Sequence, residues 1–178
     1  MKSGSGKVRF IAYTAVLMAL LVGLQFVTKA FGQFVTGSCV NLILAVSVLC
    51  CGPASGLTVA LLSPFFAFLL GIGPAFIQIV PFIAAANTAY VLMIHAICRN
   101  ITGERHSPAR FSAVAAAALC KFAVLYLLVT KLVVPSLGLP EAKAAVVSAA
   151  FSWPQLATAL LGGLLAAEIA PLVKKAVK

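Results

Sequence analysis

From Val8 to Val173 the sequence consists of long apolar runs, broken only by glycine, proline and short basic stretches. A helix crosses the hydrocarbon of a bilayer with about 20 apolar residues, range roughly 17–25. In lipid the backbone must satisfy its own amides and carbonyls, so such runs form helices. Six runs have this character, over residues 8–28, 34–51, 54–70, 75–98, 109–134 and 151–173. The second stops at Gly52 and Pro53, and the third at Gly71, Ile72, Gly73 and Pro74. These two are short, which leaves open a full crossing, little tilt, or an interrupted span. The expected fold is all-α: a polytopic membrane protein, a compact six-transmembrane-helix bundle with short loops, forming one membrane domain over residues 1–178.

Charge supports this reading and orients it. Only 9% of the 178 residues are charged and 63% are hydrophobic, against roughly 25% charged in soluble domains. With six spans both termini share one side. Lys2, Lys7, Arg9, Arg99, Arg105, Arg110, Lys174, Lys175 and Lys178 then gather there, while Lys29, Lys131 and Lys143 fall opposite. The positive-inside rule makes the first side cytoplasmic. The expectation is a multi-pass protein of the cell membrane with both termini inside. Five spans would separate the basic tail from the basic start. The apolar run that begins at Val8 is too long for a cleaved signal peptide.

Polar residues within the runs mark packing or a site. Lys121 stands about 18 Å along the fifth span by helix rise, near the midplane. It reads as a snorkelling or carbonyl-held lysine, or as a cation for the carboxylate or phosphate of a bound solute. Glu168, roughly 12 Å away in depth, is a poor direct partner. Asn41, Gln78, Asn87 and Gln155 can donate and accept hydrogen bonds, either between helices or to a ligand. Trp153 reads equally as an interfacial tryptophan or as a flat face for an aromatic ligand. Together these residues suggest a polar pocket open to the outside. Ala12, Ala15, Ala19 and Gly23 form a small-residue stripe on the first helix, suited to close approach by an internal helix or a separate subunit. Pro64 and Pro81 are expected to interrupt the third and fourth helices, and Pro154 to open the sixth.

Catalysis has little to work with. There is no aspartate, and the acids are Glu104, Glu141 and Glu168. No metalloprotease, nucleophile-elbow or phosphate-loop motif occurs. His95 reads as structural, and Glu104, Arg105 and His106 as a solvated loop. The five cysteines make no C-x-x-C pair and read as buried thiols. No metal and no cofactor is expected on this chain.

The opening of the first helix, RFIAYTAVLMALL, with Ala15 and Ala19 in an A-x-x-x-A pattern, and the closing FSWPQLATALLGGLLA resemble the substrate-binding S components of energy-coupling factor (ECF) transporters. The likeness in size, span number and basic ends covers nearly the whole chain. It implies a prokaryotic membrane subunit that captures a vitamin or related micronutrient. It also implies work with one transmembrane coupling protein and two cytoplasmic ATPases, so that ATP is used by partners. Under this resemblance Ala15 and Ala19 would dock the coupling protein. An outward cavity would be lined by the later helices, where Asn87, Lys121, Trp153 and Gln155 fall, and capped by the loops that hold Gln33, Thr36 and Gly71 to Pro74. The metal-binding branches are disfavoured, because no N-terminal Met-His-Ile-x-Glu-Gly-type motif is present. Two other functions stay open: a stand-alone secondary transporter that depends on Glu168, and a structural or assembly membrane protein.

Overall fold

A computed structural model describes residues 3–99 and 108–177. The residues Lys2, Glu104, Arg105, His106 and Lys178 lie outside the described part. Helix α1 is Ser3–Thr28, and a 3-10 turn over Lys29–Phe31 leads to α2, Gln33–Cys51. Next come α3, Pro53–Leu69, a 3-10 turn over Ile77–Ile79, and α4, Val80–Cys98. Helix α5, Pro108–Leu125, continues through a π-helical stretch, Tyr126–Val133, into the single turn α6, Val134–Ser136. The short α7, Glu141–Ala150, precedes α8, Trp153–Val177. Five helical stretches are long and apolar enough to cross a bilayer. The sixth, Pro53–Leu69, has 17 residues, at the lower end of what spans one. The chain is an all-α, six-helix polytopic membrane bundle.

Sequence explains the breaks. A single residue, Gly52, separates α2 from α3, and its φ of 89° is a conformation that only glycine adopts cheaply. Pro53 follows in the first helical turn, where no amide hydrogen is needed. Across this one-residue break α2 and α3 pack on each other. Pro64 lies inside α3 without ending it; its missing N–H leaves the Ala60 carbonyl without the usual i+4 donor. Pro81 does not interrupt α4. It sits in the first turn, after the 3-10 turn, so the fourth helix starts at Val80 rather than near residue 75. Pro154 opens α8 as expected. Helix α7 and the π-helical stretch are additions that apolar periodicity did not suggest. Helix α7 has an acid, Glu141, in its first turn and no buried residue. It is alanine-rich, and alanine favours helix wherever it sits.

The core lies between α2, α4, α5 and α8, with Leu44, Ala45, Tyr90, Val91, Ala117 and Ala159 buried. Helix α8 comes close to α2 at Gly162, and to α4 and α5 at Gly163. A Cβ at Gly162 would strike the Ser38 carbonyl oxygen and lie 2.6 Å from the Leu42 amide. One at Gly163 would strike the Tyr90 hydroxyl and lie 2.5 Å from a Val114 methyl. Helix α1 stands at the edge. Its inward side is Thr14, Leu21 and Thr28, and Thr14 Oγ1 donates to Ser55 Oγ at 2.9 Å. Ala12, Ala15, Ala19 and Gly23 are all exposed on its other side. Among the described residues, no helix buries the small-residue stripe. All five cysteines are free and half-buried rather than enclosed.

Candidate functional site

A cavity of about 420 Å³ opens at the end of the bundle opposite the termini, within the size range of small-ligand sites. It is walled by the later residues of α1 and α3 and by the earlier residues of α2, α4 and α8. Helix α5 contributes Lys121 and Leu125. Its cover is the connection after α1, the segment from Ile72 to Phe76, and the end of α7.

Lys121 is the electrostatic centre of this space. It is 3% exposed, and its ammonium turns toward α2 and α4 rather than toward lipid. Nζ donates to Asn41 Oδ1 at 2.6 Å and to Asn87 Oδ1 at 2.7 Å. It also stands 5.5 Å from the centroid of the Tyr90 ring, a cation–π distance. Two of these partners are themselves held. Asn41 Nδ2 donates to the Gly37 carbonyl at 2.8 Å, which turns its oxygen to the lysine. The Tyr90 hydroxyl donates to the Ala159 carbonyl at 3.0 Å. All three partners of the ammonium are neutral, and among the described residues no acidic one lines the cavity. A lysine has three N–H donors, and two are used here. When protonated, this lysine carries a positive charge and a third N–H beside a ligand-sized space. Burying an uncompensated charge is costly, so an anion arriving there is favoured on charge grounds.

The roof is tied by hydrogen bonds between chain segments far apart in sequence. Lys29 Nζ donates to the Gly71 carbonyl at 2.7 Å. Gln33 Nε2 and Gln155 Nε2 both donate to the Ala150 carbonyl, at 2.6 and 3.1 Å. The connection after α1 is thereby fastened to the one after α3, and the starts of α2 and α8 to the end of α7.

Of the six site residues picked from the sequence, Lys121, Asn41, Asn87 and Gln155 meet at this cavity. Trp153 and Gln78 do not line it. Trp153 is 63% exposed and rests against Phe34 with ring centroids 5.4 Å apart. Gln78 is exposed in the 3-10 turn before α4. Glu168 also stands away from the cavity, nearer the far end of α8. Sequence reasoning missed Gln25 and Ser63, which line the wall made by α1 and α3. A signal for Gln25 was available: Thr14, Leu21, Gln25 and Thr28 share one helical face, at spacings of seven, four and three. Among the described residues no group of three or more histidine, cysteine or acidic side chains could hold a metal ion.

A six-helix membrane bundle with a ligand-sized cavity over a buried lysine has the form of a membrane-embedded binding protein. Residues 10–174 match the family model described as ECF transporter, substrate-specific component, and the chain belongs to that family. It is therefore the substrate-binding subunit of a transporter and not an enzyme. Comparison with curated proteins gives no match, and comparison with solved structures gives none either.

Proposed function

We propose that this subunit captures a small, water-soluble, anionic nutrient of the vitamin class on the outer face of a prokaryotic cell membrane, and delivers it when an ATP-driven module acts. The observation that carries this reading is Lys121: a buried ammonium with neutral partners at 2.6 and 2.7 Å, lining a space of about 420 Å³. The ligand's carboxylate or phosphate takes the remaining N–H, with Asn41, Asn87 and Gln155 around it. The nine basic residues on that side, six near the termini and three between the fourth and fifth spans, favour the cytoplasm for both ends, so the cavity faces outward. The partners are one transmembrane coupling protein and two cytoplasmic ATPases, and the coupling protein docks on the exposed Ala15 and Ala19 of α1. Family membership supports this division of labour, and the exposure of the stripe supports the docking face.

Reconstitution in liposomes tests the proposal. The chain with its coupling protein and ATPases is expected to take up its ligand only when ATP is supplied inside. Uptake by the chain alone, driven by a proton or sodium gradient and lost on Glu168→Gln, contradicts the proposal and points to a secondary transporter.

A further inference from the structure

We infer that the cavity recognises a ligand with two unlike ends: an anionic group at Lys121 and, at the wall of α1 and α3, a neutral group presenting a hydrogen-bond donor and acceptor on one edge. Lactams, cyclic imides and primary amides have such an edge. The anionic half rests on the function proposed above; the neutral half rests on Ser63 and Gln25.

Ser63 is 2% exposed, and its hydroxyl is buried without a hydrogen-bond partner. Helical hydroxyls ordinarily bond back to a carbonyl in the preceding turn. Several in this protein do so: Thr28 to Leu24, Ser38 to Phe34, Ser47 to Leu44 and Thr58 to Ala54. Ser63 departs from that habit and lines the cavity. Gln25 lines it as well, and its Oε1 is likewise buried without a partner. Two residues with an unpaired polar atom thus line the cavity from α1 and α3, helices that pack on each other. Lys121 with Asn41 and Asn87 forms a second polar set, on α5, α2 and α4. Helix α1 packs on α2 and α3, whereas α5 packs on α4 and α8, so the two sets belong to different walls. Much of the remaining lining is apolar, including Pro64, Ala67, Phe76, Ile79 and Ile83. A mostly apolar space with a few placed polar groups is how small-ligand sites fix orientation. The serine hydroxyl can donate or accept, and the glutamine oxygen accepts. Together they match an N–H beside a C=O.

Three probes separate the two ends: 5-(uracil-1-yl)pentanoate, its methyl ester and 5-phenylpentanoate, titrated calorimetrically into the purified full chain in detergent. The uracil acid is expected to bind about tenfold tighter than the phenyl acid, because a site built for hydrogen bonds rejects a ligand that lacks them. The ester is expected to bind at least tenfold more weakly than its acid. Ser63→Ala and Gln25→Met should each bring the uracil and phenyl acids to within about threefold of one another, with the acid-over-ester preference intact. If both variants keep the uracil preference, or the unaltered chain has none because water satisfies both groups, the neutral subsite is refuted. If the uracil preference stands but acid and ester bind alike, the anionic reading of Lys121 fails and the neutral subsite is supported. No binding of any probe contradicts both.

Discussion

Helices α1 and α2 are equally apolar neighbours in sequence, yet the bundle uses them in opposite ways. In the most apolar stretch of α1, 11% of residues are buried inside the protein, against 39% in α2. Helix α2 buries an unbroken run from Ile43 to Val48 and is enclosed by α1, α3, α4 and α8. Among its described side chains, helix α1 turns Thr14, Leu21 and Thr28 fully inward and leaves its small-residue stripe uncovered. Apolarity states that a helix belongs in the membrane but does not name its neighbour. In lipid an exposed alanine face carries no penalty for being apolar, so it can be kept for a partner. The contrast assigns α2 to building the cavity and α1 to facing outward.

Glycine substitutions on the two sides test the contrast most sharply. Gly162→Val on α8 forces side-chain atoms into the α2 backbone near Ser38 and Leu42. It is expected to cost about 3 kcal/mol or more, visible as a large loss of melting temperature in detergent. Normal stability in that variant contradicts the close α2–α8 approach. On the α1 face, Ala15→Leu with Ala19→Leu should leave folding and ligand binding intact. It should reduce assembly with the coupling protein about tenfold or more, read by co-purification of the complex. Loss of the fold would mean that the stripe packs internally after all. The smallest effect belongs to Gly23→Ala, where a new Cβ meets nothing within 4 Å. Its melting point should hold or rise slightly, since alanine is favoured over glycine within a helix by roughly 0.5–1 kcal/mol. A drop comparable to that of Gly162→Val would erase the distinction between the faces.

Much of this was legible in the sequence. Span lengths come from apolar runs, whose cause is local, and the runs ending at Gly52 and near residue 70 match helix ends at Cys51 and Leu69. Lys121, Asn41 and Asn87 stood out because polar groups in an apolar run are expensive. Their meeting joins positions 80 and 34 residues apart, which no periodicity encodes. Trp153 and Gln78 were selected by the same polarity and depth, but their helical phase turns them away from the cavity. Ser63 was hidden because serine in a membrane helix normally bonds to its own backbone. Helix α7 was hidden because Glu141 and Lys143 made its short alanine-rich segment read as loop.

Native mass spectrometry of the purified chain and its Lys121→Met variant tests the central claim most directly. The unaltered protein is expected to retain a small molecule bearing a carboxylate or phosphate. The variant, with its fold intact, should lose it, since a hydrogen bond to a charged group contributes about 1.5–3 kcal/mol, or roughly ten- to a hundredfold in affinity. Equal retention of the same anion by a folded Lys121→Met protein would contradict the account.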